Sequence, residues 1–322
     1  MGLADWLRLF RAQTWPATML CICVPYLCNH YTDITFIELV LASILIHYSS
    51  FGHNSVMDYW YDVNDPSKRH HPLITGAIKL RSAHNVIHPM LIVSFAALAV
   101  IAWLESPAVD LALLSLLGFA VFGHAYNDGM DKSTVHSWVP ISACFTSLAA
   151  YGWFMSHSYV DVTFAVLMSA TFSAIFFQIA VSGNLKDIGS DPVNLLRRLG
   201  CEGDWSNGIK YSGKAMTLII TSTSIKGGLI TALPMIVFGS ESVNSIITLV
   251  LVIAMIVLTA YEVSCRDRDR ALKMMSLVEI CTLYGMLYGC VEPLLATIIA
   301  VIGVAYFFGV NKAIWKVAHP KV

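Results

Sequence analysis

Two groups of oxygen-bearing residues share a four-residue spacing between their aspartates in an otherwise apolar chain: Asn54, Asp58 and Asp62, and Asn184, Asp187 and Asp191. Residues four apart lie on nearly the same face of a helix, so each group aims two carboxylates and an amide in one direction. Four carboxylates converging on one cavity repel one another unless cations sit between them. Oxygen clusters of this kind suit Mg²⁺, which shares its coordination sphere with waters and substrate phosphates.

The flanking residues extend that chemistry. The first group lies in HNSVMDYWYDVNDPSKRHHPLITG, residues 53–76. Proline disfavours helical geometry in the residue before it, so Asp65–Pro66 is expected to end the helix. Lys68 and Arg69 follow at once, then His70, His71, Pro72 and a turn glycine, Gly76. The second group lies in SGNLKDIGSDPVNLLRRLG, residues 182–200, with Lys186 inside it, Pro192 as the breaker and Arg197 and Arg198 beyond. Those two arginines fit either a phosphate or the membrane surface. A single DxxxD is common on solvated helix ends. Two with matched spacing, each followed by cations, fit a metal-bound diphosphate, whose oxygens need both metals and charge-assisted hydrogen bonds.

The elements that must position these groups are membrane helices. Of 322 residues, 57% are hydrophobic and 13% charged, with a mean hydropathy of +0.66; a soluble domain carries about 25% charged residues. Apolar stretches of about 20 residues, enough to cross a bilayer as a helix, recur along the chain. They are placed at 15–31, 36–56, 84–104, 109–127, 138–157, 162–184, 213–238, 243–263, 271–290 and 293–311. The expected fold is all-α: a polytopic transmembrane bundle of nine or ten spans around a central cavity, the last two passes being two spans or one span and an interfacial helix. Residues 1–322 form a single domain on this reading, since no linker or low-complexity stretch divides them. Residues 1–15 lack a signal peptide's pattern and suit an amphipathic lead-in, with Trp6, Leu7, Phe10 and Trp15 at the interface.

With this threading, every odd-to-even connection lacks Lys and Arg and carries Asp33, Glu105, Asp110, Asp161, Glu241 or Glu292. All but one of the 20 basic residues fall on the other side; the exception is Lys226, inside a span. The positive-inside rule makes the basic side cytoplasmic, together with both termini and both acidic groups. The eight cysteines show no CxxC pair, which argues against zinc or a disulfide framework.

The pattern NxxxDxxxD, then KR and an HPLxxG turn, then NxxDxxxD, resembles the UbiA superfamily of intramembrane prenyltransferases over most of the chain. The resemblance implies a helical bundle, typically of nine spans, whose two Asp motifs bind Mg²⁺ and the diphosphate of an isoprenoid substrate. It makes Asp58, Asp62, Asp187 and Asp191 the catalytic carboxylates and, with Asn54, the metal ligands. Asn54, Lys68, Arg69, Asn184 and Arg11 are the implied diphosphate contacts, joined by Tyr126 and Lys132 in place of the family's YxxxK. Two departures stand out. Lys132 follows Tyr126 by six residues rather than four, and Ser55 stands where many members carry a second acid.

The expected activity is Mg²⁺-dependent transfer of an isoprenyl group from a prenyl diphosphate to an aromatic, quinone-precursor type of acceptor or to a lipid. A terpene cyclase using the same ionisation is the alternative. A cation-coupled transporter fits less well, because the acids sit at the mouth and not at midplane. No nucleic-acid partner is expected. Cation-shielding aromatics would come from Tyr59, Tyr61, Tyr126, Tyr151, Trp153, Phe176 and Phe177. The bland readings are structural roles for His47, His53 and His124, a helix-end pair for Glu262 and Arg266, and for Lys226 a structural pair with a carboxylate, set against contact with an acidic acceptor.

Overall fold

A bilayer offers no water to backbone polar groups, so a spanning chain must satisfy them within helices or closed barrels. In the computed structural model, which describes residues 2–28, 32–64, 68–127, 133–189, 191 and 193–315, the chain takes the helical route. No strand is present among the described residues beyond one isolated bridge between Glu202 and Lys210. The helices are α1 (Leu3–Leu9), α2 (Trp15–Leu27), α3 (Ile34–Met57), α4 (Leu80–Glu105), α5 (Val109–Ala125) and α6 (Trp138–Phe154). They continue with α7 (Val162–Phe177), α8 (Gly213–Val237), α9 (Val243–Ser264), α10 (Arg268–Cys290) and α11 (Pro293–Trp315). Each of the ten expected spans is a helix, and α10 and α11 are both full-length. Among the described residues seven helices are long and apolar enough to cross a membrane: α3, α4, α7 with its continuation to Lys186, and α8 to α11. Helices α2, α5 and α6 have 13, 17 and 17 residues.

Several acids that set the charge asymmetry turn out to start helices. Asp33 accepts from the Phe36 N–H at 3.0 Å and Asp161 from the Phe164 N–H at 2.8 Å, capping α3 and α7. Ser212, Ser242 and Asp267 cap α8, α9 and α10 in the same way. Each cap satisfies a donor that the helix leaves open.

Neighbouring helices pack in chain order from α2 to α8; α8 then packs on α9 and α10, α10 on α11, and α11 returns to α2. Helix α2 also lies against α6 and α10, closing the wall. Its approach to α6 requires glycine: a Cβ on Gly152 would sit 2.0 Å from the Ile22 carbonyl oxygen. Outward faces carry Ile92, Trp103, Leu104, Val250 and Ile302, all exposed, as expected of surfaces that meet acyl chains.

Candidate active site

The two acidic groups end two different helices at one end of the ring. Asn54 closes the last turn of α3, Asp58 is its C-cap, and Asp62 ends the helical turn Tyr59–Asp62. The expected break at Asp65–Pro66 and the one at Pro192 lie outside the described residues. The second group is built differently from the regular helix the spacing suggests. Helix α7 widens into a π-helical turn at Gln178–Gly183, resumes for Asn184–Lys186, and stops at Asp187, whose φ is −106° and ψ 21°. One backbone bond, from the Asp191 N–H to the Asp187 carbonyl at 2.9 Å, preserves the four-residue turn between the carboxylates. π-Helical turns are rare and recur at functional sites.

These ends open on a cavity of about 840 Å³. Asn54, Asp58, Asp62, Asn184, Asp187 and Asp191 all line it, as do Arg11, Lys68 and Tyr126. Arg69 is exposed and does not; the partly buried Lys68 takes the inward position of that pair. Lys132 lies outside the described residues. Arg197 spends its guanidinium on the carbonyls of Ile188 and Gly203, bracing the loop instead of facing the cavity.

Hydrogen bonds fix the second group's frame. The Asn184 side-chain amide donates to the Ile179 carbonyl at 2.8 Å, one of the carbonyls displaced by the π-turn, and its oxygen accepts the Leu195 N–H. Asn194, fully buried, donates back to the Asn184 carbonyl at 2.6 Å and caps Leu195–Arg198. Asp187 lies 3.5 Å from Lys186 and 3.7 Å from Arg268, which reaches in from the start of α10. Asn54 donates to Asn127 at 3.1 Å.

Arg11 has φ +48°, a left-handed backbone that costs a non-glycine residue on the order of 1 kcal/mol or more. The buried His47 accepts from the Thr18 hydroxyl at 2.7 Å and donates from its other nitrogen to the Arg11 carbonyl at 3.2 Å. The bland reading of His47 therefore holds: it fixes the strained turn that puts the Arg11 guanidinium over Phe51, 5.6 Å from the ring centre. Gly76, at φ +72°, is the expected turn glycine.

Burial pushes the Lys68 ammonium down to about 8, with the cations Lys186 and Arg11 adding to the shift and Asp62 and Asp187 opposing it. Burial likewise holds His71 down to about 3, so it is neutral at pH 7. No three His, Cys, Asp or Glu side chains among the described residues are gathered closely enough to chelate a metal by themselves. The donor set still fits Mg²⁺, which is usually held by one or two carboxylates plus substrate phosphates and waters, not by an all-protein cage.

A model of the UbiA prenyltransferase family matches residues 15–281. The chain belongs to that family. It is thus a prenyltransferase and, with seven helices fit to cross a bilayer, an integral membrane protein. Solved UbiA-family structures share the fold. A UbiA homologue from Archaeoglobus fulgidus bound to GPP and Mg²⁺ is 17% identical, with a TM-score of 0.61 over 95% of this chain and 99% of that one. A structure of digeranylgeranylglyceryl phosphate synthase is 18% identical, with a TM-score of 0.59 over 88% and 98%. An apo UbiA homologue from Aeropyrum pernix K1 is 14% identical, with a TM-score of 0.60 over 86% and 97%. No curated protein matches the chain significantly.

In this UbiA-family chain the cavity has members that spacing does not reveal. Among the aromatic candidates only Tyr61, Tyr126 and Phe177 line it. Tyr151 and Trp153 are core residues bonded to the carbonyls of Leu98 and Tyr159. Phe176 packs on Trp138, and Tyr59 against Trp60. Helical register explains the difference: Phe176 and Phe177 are adjacent, so they point about 100° apart. Phe51, Phe145, Tyr284 and Phe307 complete the aromatic lining. Gln13, two residues beyond Arg11, and Glu279, from the middle of α10, also line the cavity, and Arg268 reaches Asp187 from the start of α10.

Proposed function

We propose that the protein ionises a prenyl diphosphate at the acidic mouth of its cavity and transfers the isoprenyl group to an aromatic, quinone-precursor type of acceptor or to a lipid. The observation that carries this reading is that Asp58, Asp62, Asp187, Asp191 and Lys68 all line one cavity. The A. fulgidus homologue bound to GPP and Mg²⁺ lends support through its shared fold. Asp58, Asp62, Asp187 and Asp191, with Asn54, would hold Mg²⁺, which when bound would offset diphosphate charge and make pyrophosphate a better leaving group. Lys68, Arg11 and Tyr126 donate to diphosphate oxygens, and Arg268 and Lys186 orient Asp187. Asn184 is a positioning residue, since its amide is committed to the backbone on both sides of the second group. Phe177, Tyr126 and Tyr61 face the cavity and can shield positive charge on the allylic carbon.

The basic connections share the mouth's end of the bundle, so we place the mouth and both termini on the cytoplasmic side. The chain acts as one catalytic unit over residues 1–322. The test is incubation of the purified protein with Mg²⁺ and geranylgeranyl diphosphate, with and without candidate acceptors. Prenylated product that appears only with acceptor supports the proposal. Cyclic hydrocarbon or alcohol formed without acceptor would replace it with a terpene cyclase.

A further inference from the structure

Three ionisable side chains from three helices meet beside the cavity, away from the acidic mouth. Lys226 is the fourteenth residue of α8 and 1% exposed; Glu262 is equally buried near the end of α9, and Glu279 lies at the middle of α10. Lys226 and Glu279 line the cavity, Glu262 does not. Charged groups within a membrane bundle are costly and mark functional sites by default, unless a close ion pair accounts for them.

No such pair closes here. Lys226 has no carboxylate within ion-pairing distance and no hydrogen-bond acceptor among the described residues; its ammonium sits over the Phe177 ring, 3.7 Å from the centre. One Glu279 carboxylate oxygen is buried without a partner, and so is one of Glu262. The π-turn supplies the rest of the frame: Gln178 lies beside Glu279 and Ser182 beside Glu262. Gln178, Ser182, Met275 and Ser276 all line the same cavity, so this cluster is continuous with the mouth.

We propose that Lys226, Glu279 and Gln178 form the subsite for the hydroxyl group of an uncharged acceptor, an alcohol or phenol, and disfavour acceptors whose polar group is a carboxylate or phosphate. The proposal rests on the prenyl-transfer reading and narrows its acceptor. A hydroxyl both donates and accepts: it donates to the open Glu279 oxygen and accepts from the Lys226 ammonium. A carboxylate or phosphate can only accept, and meets two carboxyl groups with one cation to set against them. The electrostatic neighbours of Glu279 are Lys226, Lys186 and Glu262, and Lys186 is already beside Asp187.

The test loads the detergent-purified protein with Mg²⁺ and geranylgeranyl thiolodiphosphate, an inert substrate analogue, and titrates two probes of one ring, 1-naphthol and 1-naphthoate, by fluorescence. The naphthol should bind at least about tenfold more tightly, the factor that 1.4 kcal/mol supplies. Glu279→Gln should bring the two affinities within about threefold of each other, because the repulsion of the acid is lost. Preference for naphthoate, no saturable binding of naphthol, or an unchanged ratio in E279Q would overturn the subsite. The wild-type comparison decides the matter even if E279Q does not fold. Absence of thiolodiphosphate binding in the wild type would instead overturn the prenyl-diphosphate reading.

Discussion

Asn184 separates a ligand from a brace. Its amide donates to the Ile179 carbonyl and its oxygen accepts the Leu195 N–H, so it ties the π-turn to the far end of the loop that carries Asp187 and Asp191. Asn184→Ala removes both bonds and leaves two backbone groups with no replacement partner. At about 1 kcal/mol net for each bond, the loss is about 2 kcal/mol. If loop order is a condition for holding the diphosphate, 2 kcal/mol weakens binding about thirtyfold. Asn184→Asp is the sharper variant. It keeps the acceptor for Leu195 but turns a carboxylate oxygen toward the Ile179 carbonyl, at a cost of about 1–2 kcal/mol, or about five- to thirtyfold. A metal-ligand role predicts the opposite, because a carboxylate binds Mg²⁺ at least as well as an amide. Calorimetric titration of geranylgeranyl thiolodiphosphate with Mg²⁺ reads the difference. N184D binding within twofold of the wild type, or more tightly, would refute the positioning role.

Lys68 gives a pH prediction. Its ammonium is held down to about 8, so the cation is present below that pH and lost as pH rises through it; kcat/KM for the prenyl diphosphate should fall above pH 8 and the fall should vanish in Lys68→Arg, whose guanidinium stays charged. Arg268→Ala removes the 3.7 Å pair to Asp187 and the hydrogen bond to the Lys186 carbonyl. A partly exposed pair is worth up to about 1 kcal/mol, so KM should rise about two- to fivefold with folding intact. Gly152→Ala sets a methyl 2.0 Å from the Ile22 carbonyl oxygen and must part α2 from α6; a cost of about 1–3 kcal/mol should appear as a clear fall in melting temperature in detergent.

How much of this was legible in sequence depends on distance along the chain. The spans were readable because hydropathy is local: the expected 36–56, 213–238 and 243–263 differ from α3, α8 and α9 by at most two residues at either end. The two acidic groups were readable because a four-residue spacing is itself a geometric statement. It survives even where the second group leaves regular helix, because one Asp191-to-Asp187 backbone bond keeps the turn. The π-turn was not readable, as nothing in QIAVSG marks an extra residue in a helical turn. Glu279 reaches the cavity, and Arg268 reaches Asp187, only after ring closure brings α10 against the rest of the bundle, and no local pattern encodes those contacts. Arg69 illustrates the converse: adjacent to Lys68 and chemically equivalent, it faces outward because one residue of register separates them.

The central claim is that both acidic groups hold metal through a shared prenyl diphosphate. Its most direct test is electron paramagnetic resonance of Mn²⁺ substituted for Mg²⁺, with geranylgeranyl thiolodiphosphate, in the wild type, Asp58→Asn and Asp187→Asn. The account predicts bound Mn²⁺ with ³¹P hyperfine coupling only when the diphosphate analogue is present, and loss of that signal in each variant. Full Mn²⁺ binding without the analogue, or an unchanged ³¹P-coupled signal in both variants, would contradict it.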